Sequence, residues 1–439
     1  MNTDNFKNLS LNESILRALT EEGYQTPTPV QLAAIPIALA GMDLLATAQT
    51  GTGKTAAFAL PILHILDKQK GQRGPRPIRG LILTPTRELA LQIEASFRCY
   101  GRHLPLRTAV ILGGVPATSQ IKALQRNPDI LVATPGRLLD LYNQGYVRLN
   151  HVEILVLDEA DRMLDMGFVV DVRKIVSHLP AARQTLFFSA TLSWEIANLA
   201  SDMLRDPSRV EITPCSSVSG NIEQKVLFVE HENKRDLLTD ILKAEHVSRA
   251  LVFTRTKHRA DRITQQLSSH GISADVIHSN KTQGARQRAL SAFDQGRIKV
   301  LVGTDIVARG IDVDGISHVI NYDMPEDPES YVHRIGRTAR AGALGIALSF
   351  CDAGEVALLQ GIEKLTRNPL TADEDHPFHS SYIAGLRDRK MTSSGVPMRE
   401  QSSRKEPAKP FGRTNRLKSN GSSRLMKRRG SSSALSVRN

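Results

Sequence analysis

Apolar residues in this chain gather in short unbroken runs separated by longer amphipathic stretches. Leu81-Ile82-Leu83, Ile130-Leu131-Val132, Ile154-Leu155-Val156-Leu157, Leu251-Val252-Phe253, Val300-Leu301-Val302 and His318-Val319-Ile320 are continuous and β-prone, as expected of strands buried on both faces. Between them, Arg87–Tyr100, His258–Ser269 and Arg286–Gln295 repeat their apolar residues at helical spacing. The alternation predicts an α/β fold, a parallel sheet with helices on both faces. Around Pro214–Gly220 the chain reads Pro-Cys-Ser-Ser-Val-Ser-Gly, small residues without period, and this is expected to be a linker. The chain then divides into a first domain over 1–212, a linker over 213–221 and a second domain over 222–370. From Thr371 to Asn439 large apolar residues become scarce, and a disordered basic tail is expected.

Charge narrows the choice of partner. Among 439 residues, 57 Lys and Arg stand against 45 Asp and Glu, a net of +12, which favours a polyanion such as nucleic acid. Between Arg399 and Asn439, twelve basic residues face only Glu400 and Glu406, so +10 of that charge lies at the C-terminal end. Such a segment is expected to tether RNA by counterion release. Cys99, Cys215 and Cys351 are too widely spaced for a metal or redox motif and odd in number, which suits a reducing cytoplasm better than a disulfide framework. No apolar run approaches the ~18 residues of a membrane span, and no signal-peptide pattern opens the chain.

Two motifs carry chemistry on their own residues. Ala46-Thr47-Ala48-Gln49-Thr50-Gly51-Thr52-Gly53-Lys54-Thr55 follows Leu44-Leu45 and precedes the helical Ala56–Ile65. A glycine-rich turn opening a helix aims backbone N–H groups at phosphates, Lys54 reaches the β- and γ-phosphates, and Thr55 can ligate Mg²⁺. Asp158-Glu159-Ala160-Asp161 directly follows the strand run Ile154–Leu157. A carboxylate at the end of a parallel strand beside a P-loop is placed to hold Mg²⁺, and Glu159 to orient or deprotonate water.

With these motifs in hand, the chain from Phe6 to about Leu365 resembles the DEAD-box ATP-dependent RNA helicases. Gly23-Tyr24-Gln25-Thr26-Pro27-Thr28-Pro29-Val30-Gln31 looks like the adenine-reading Q motif; the resemblance implies that Gln31 reads the base edge and Phe6 stacks on the ring. Ser189-Ala190-Thr191 is similar to the motif that couples the phosphate site to interdomain closure, with Asp161 and His333 as its implied partners. Pro85-Thr86-Arg87-Glu88-Leu89-Ala90, Gly113-Gly114 and Thr134-Pro135-Gly136-Arg137 each follow a strand run. Small residues, hydroxyls and arginines at helix starts suit RNA phosphates and 2′-hydroxyls, and Thr86, Arg87, Gly114, Thr134 and Arg137 are the implied contacts.

The second domain lacks a Gly-Lys-Thr loop. Thr304–Asp312 and His333–Arg340 resemble the last two helicase motifs. By that resemblance Asp312 meets the ribose, Thr304 the RNA backbone, and Arg337 and Arg340 act as arginine fingers. Ala339 stands where the family usually has glycine. Arg255, Gln283 and Arg286 match the remaining RNA-facing positions, and Ile277–Arg286 looks most like the bacterial RhlE-type subgroup. Two tandem RecA-like parallel-sheet domains are therefore expected, binding ATP, Mg²⁺ and single-stranded or short duplex RNA, and closing over a split catalytic site. The rival expectation is an RNA clamp with a slow ATPase as timer; a DNA translocase is a third. Ribosomal-particle or RNA-decay proteins are conceivable partners that the sequence does not name.

Overall fold

The computed structural model describes residues 5–48, 51–68, 77–212, 221–244, 247–305, 313, 315–339 and 343–387. The first lobe holds a seven-stranded, all-parallel sheet of order β3-β4-β2-β5-β6-β1-β7. Its strands are β1 Leu44–Thr47, β2 Gly80–Leu83, β3 Thr108–Ile111, β4 Ile130–Ala133, β5 Ile154–Leu157, β6 Gln184–Ser189 and β7 Ser208–Glu211. The helices are α1 Glu13–Glu21, α2 Pro29–Leu39, α3 Lys54–Lys68, α4 Arg87–Tyr100, α5 Ala117–Leu124, α6 Pro135–Asn143, α7 Ala160–Asp165, α8 Val169–Ser177 and α9 Trp194–Met203. Every residue of β2, β4 and β5 is buried, because helices cover both faces of a parallel sheet. One apolar cluster, around Phe58, Phe97 and Phe188, fills the side of α3 and α4; another, around Leu138, Met163 and Phe187, fills the side of α6 to α9.

The second sheet runs β10-β11-β9-β12-β13-β8-β14, again all parallel. Its strands are β8 Ile222–Phe228, β9 Ala250–Phe253, β10 Ala274–Ile277, β11 Val300–Gly303, β12 His318–Asn321, β13 Gly345–Cys351 and β14 Thr371–Ala372. The described helices are α10 Lys234–Lys243, α11 Lys257–Ser269, α12 Gln283–Asp294, α13 Pro328–Ile335, α14 Val356–Thr366 and α15 Ser381–Arg387. Counted from its own first strand, this order repeats that of the first lobe position for position. No internal repeat is legible in the sequence, because a topology is a pattern of pairings and many side-chain sets satisfy it.

The expected tail boundary at Thr371 is corrected. β14 pairs with Lys225 and Val226 of β8, and α15 buries Ile383 and Leu386 against a cluster containing Phe228, Tyr331 and Leu359. Arg387 pairs with Glu363 of α14 and donates to the Leu370 carbonyl at 2.8 Å. Two buried side chains on one short helix suffice to dock it, although the surrounding text is too polar to show a period. The rest of the expected tail, 388–439, and most of the linker, 213–220, lie outside the described residues.

Candidate active site and nucleic-acid groove

The P-loop turns from β1 into α3, whose first residue is Lys54. Lys54 is 6% exposed, and its Nζ has no hydrogen-bond partner among the described residues. A buried ammonium without a partner is costly, so the arrangement suits an anionic ligand. Thr55 follows half-buried, with Thr52 and Gly53 half-buried and Gly51 exposed in the turn before it. Gly53 takes φ +89°, and a Cβ there would lie 2.4 Å from the Gln31 amide, so only glycine lets the loop approach α2 so closely. Gln49 and Thr50 lie outside the described residues.

Gln31 is buried in the first turn of α2. Its Oε1 accepts the Thr28 N–H at 2.9 Å, and its Nε2 donates to the Gly53 carbonyl at 3.1 Å. The candidate base reader is thus tied to the phosphate loop. Phe6 differs from expectation: its ring is 3% exposed and belongs to the first-lobe core with Leu9 and Leu11, which leaves almost no free face for stacking in this structure.

At the end of β5, the Asp158 carboxylate accepts the Glu159 N–H at 3.0 Å. Burial pushes the Asp158 acid up to about 7 against the attraction of Lys54, with Glu159 adding to the rise. Glu159 has a left-handed backbone, φ +52°, a strained geometry typical of sites where direction matters. Burial would raise the Glu159 acid too, but Arg162, then Lys54 and Arg337, more than offset it and hold it below the ordinary value. Arg162 Nη1 donates to Glu159 Oε2 at 3.0 Å with both side chains buried. Asp161 Oδ2 accepts the backbone N–H groups of Ala190 and Thr191 at 3.0 and 3.1 Å, and the Thr191 hydroxyl at 3.5 Å. Ser189 is fully buried.

Glu159, Asp161, Arg162, Asp165 and Ala190 of the first lobe and His333 and Arg337 of the second line one small cavity of about 20 Å³, the room of roughly one water molecule. Arg337 is 3% exposed and its Nε donates to the His333 carbonyl at 3.2 Å. Next to it, Ala339 adopts φ +56°, the conformation that glycine would take without strain. Arg340 and Asp312 lie outside the described residues. Arg334, which nothing in the sequence sets apart from its motif, anchors α13: it is 1% exposed, makes two 2.6 Å bonds to Asp305, and lies 5.1 Å over the Phe253 ring.

A second cavity of about 430 Å³ is lined by Thr86, Arg87, Thr134 and Arg137 of the first lobe and by Arg286 of the second. Thr86 and Thr134 are the N-cap residues of α4 and α6, so both helix N-termini open there. Gly114, φ +74°, lies under the Arg87 guanidinium, and any Cβ would overlap it. Arg137 Nη1 donates to the Val115 carbonyl at 3.0 Å. Gln283 and Arg286 are buried and bond Glu88 across the lobes, Gln283 Nε2 at 3.0 Å and Arg286 Nη2 at 2.6 Å. They were expected to face RNA; Arg286 does line this groove, and both also hold the first lobe, where Glu88 neutralises the buried Arg286 guanidinium. Glu88 has no role that its motif announces; its signal in the sequence is a carboxylate amid Thr, Arg and apolar neighbours. Arg255 is half-exposed on the second lobe, with Nη2 3.2 Å from Glu355, and Thr304 is half-buried just past β11.

Residues 28–199 match the DEAD/DEAH box helicase family model and 233–342 the helicase conserved C-terminal domain. The DEAD-box ATP-dependent RNA helicase CshA of Bacillus cereus is 43% identical over 365 residues, 83% of this chain and 69% of that protein. The protein of the same name from Bacillus subtilis is 41% identical over 368 residues, 84% and 74% of the two chains. Among solved structures, S. cerevisiae Dbp5 bound to RNA and ADP-BeF3 aligns with TM-score 0.76 at 29% identity, covering 84% of this chain and 96% of that one. The DEAD-box helicase Mss116 bound to ssRNA and UDP-BeF aligns with TM-score 0.77 at 27% identity, covering 86% and 80%. The two sheets are thus tandem RecA-like lobes of the kind found in these structures.

Proposed function

The chain belongs to the DEAD-box ATP-dependent RNA helicases, and we infer that it couples ATP hydrolysis between its two lobes to local opening of short RNA duplexes or remodelling of RNA–protein complexes. The observation that carries this reading is the cavity where Glu159 of one lobe and Arg337 of the other face the same small space.

The roles follow from charge and position. Lys54, buried at the N-terminus of α3, takes the β- and γ-phosphates together with the N–H groups of the Gly51–Thr55 turn. Gln31 offers donor and acceptor to adenine. Asp158 and Thr55 suit Mg²⁺: a buried carboxylate that resists ionisation alone is stabilised by a cation. When bound, that ion would supply positive charge beside the phosphates. Glu159, held ionised by Arg162, orients the attacking water and receives its proton. Arg337 spreads positive charge over the transferring phosphoryl group; Arg340 is assigned the same task and Asp312 the ribose. Asp161, gripping Ala190 and Thr191, ties the catalytic loop to the strand end that faces His333 and Arg337. Thr86, Arg87, Gly114, Thr134, Arg137, Arg255 and Thr304 form the RNA path, and Gln283 and Arg286 hold the lobes together through Glu88.

The proposal extends to a first domain over 1–212, a second beginning near 222, and a basic C-terminal segment that tethers RNA. Subgroup membership is proposed no more finely than the family: Ile277–Arg286 favours RhlE-type proteins, whereas the relatives above carry the CshA name, a different subgroup. Among the described residues no helix is long and apolar enough to cross a membrane, and a cytoplasmic site of action is proposed with the reducing character already noted. Glu159→Gln tests the central claim: ATP should bind and RNA be retained while hydrolysis stalls. Wild-type turnover would remove Glu159 from the mechanism. Release of a strand from a short duplex distinguishes a helicase from an ATP-timed clamp.

A further inference from the structure

The larger cavity contains chemistry that phosphate binding does not use. Its basic and hydroxylic wall, with Arg87 and Arg137, suits a sugar-phosphate backbone, but Pro85, Met166 and Phe168 line the same space. Met166 and Phe168 flank the turn between α7 and α8, and neither is fully buried. The Phe168 N–H donates to the Met163 carbonyl at 2.9 Å, and the Phe168 carbonyl accepts the Val172 N–H at 2.9 Å. The backbone that carries the ring is therefore fixed at the start of α8. Part of the ring packs against the first-lobe core, and the remainder faces the groove.

A thioether and a phenyl ring do nothing for a phosphate. The part of a single strand that takes apolar contact is the face of a base, and aromatic side chains beside a basic groove are the usual means of holding one without reading its sequence. At about 430 Å³, the cavity lies within the range of pockets that enclose small ligands and has room for a nucleotide.

We propose that Phe168, with Met166 beside it, forms a stacking subsite that receives one unstacked base of the RNA strand whose phosphates are held by Arg87 and Arg137. The inference rests on the RNA path assigned above. Stacking on one aromatic ring gives affinity without base identity, so the subsite would help to hold any single strand. It would also favour a strand whose bases are already parted from their partners.

The test is an abasic scan. Single-stranded RNAs, each lacking one base at a different position, are titrated against the full chain with ADP-BeF3. Affinity should fall about tenfold at one position and little elsewhere. Phe168→Leu keeps apolar volume and removes the aromatic face; it should lose a similar factor on intact RNA, and the sensitive abasic position should then cost nothing more. Met166→Ser should lose a smaller factor at that same position. A flat scan with the wild-type chain overturns the subsite, and so do losses that add independently in Phe168→Leu. Because the scan uses wild-type protein, a variant that fails to fold leaves this outcome readable. Arg137→Ala separates the two readings: it should weaken all RNAs alike. If it does not, the RNA path fails and the subsite with it; if it does while the scan is flat, only the subsite fails.

Discussion

The two lobes have the same strand order but treat one equivalent lysine oppositely. Each leads from its first strand to a helix that begins with lysine, β1 to Lys54 of α3 and β8 to Lys234 of α10. Lys54 Nζ is buried without a hydrogen-bond partner among the described residues. Lys234, fully buried, has Glu355 Oε2 at 2.5 Å and Asp352 Oδ2 at 3.0 Å, both from the segment that follows β13. At the end of β5 stand Asp158 and Glu159; past the end of the corresponding β12 stands Asp323, paired with Arg259 and accepting the Arg255 N–H. The second lobe therefore neutralises internally the lysine whose counterpart the first lobe leaves for a ligand. A shared topology supplies the positions, and the local pairing of charge decides whether a position can bind.

The comparison can be broken at several points. Arg337→Ala should have the largest effect, lowering kcat by about 10³–10⁵, as arginine fingers do elsewhere, with RNA binding in the absence of nucleotide retained. Steady-state ATPase and RNA titration check it, and simultaneous loss of both would assign Arg337 to folding. Lys54→Met and Lys234→Met should behave oppositely. Lys54→Met should remove hydrolysis by a factor of about 10²–10³ yet change unfolding free energy by no more than ~1 kcal/mol. Lys234→Met leaves two buried carboxylates unpaired and should destabilise by about 3–5 kcal/mol, read by urea unfolding. Equal destabilisation by the two variants would defeat the contrast.

Smaller effects sharpen the same contrast. Gln31→Ala should reduce the preference for ATP over GTP by about tenfold, measured as the ratio of kcat/KM. The smallest effect concerns His376, in the segment that leads from β14 to α15. Burial, and then the neighbouring His379, holds the His376 imidazole below its ordinary value. The unfolded chain therefore binds the extra proton first, so the stability due to this group is full above about pH 6.5 and is lost as pH falls through the folded value. His376→Phe should flatten the decline in melting temperature on mild acidification by a degree or so. An unchanged slope would show that other groups set it.

Much of the site was legible because its chemistry is local. The turn Gly51–Thr55 and the run Asp158–Asp161 each follow a strand, so spacing alone placed Lys54, Asp158 and Glu159 at strand ends on one side of a parallel sheet. The short apolar runs marked the central strands, since a strand covered on both faces has little room for polar residues. Phe6 was harder, because an aromatic near a terminus reads alike whether it meets a ligand or joins the core.

What needed the tertiary structure was everything carried by residues far apart in the chain. The Glu88 clasp joins residues 195 and 198 positions away, and the closing carboxylates of Lys234 come from beyond β13. The repeated strand order and the docking of α15 on the second lobe are likewise sums of long-range contacts. Sequence spacing specifies which side chains share a turn or a helix face; which charges neutralise each other is settled only when strands pair and helices pack, because Coulomb and burial energies depend on distance in space.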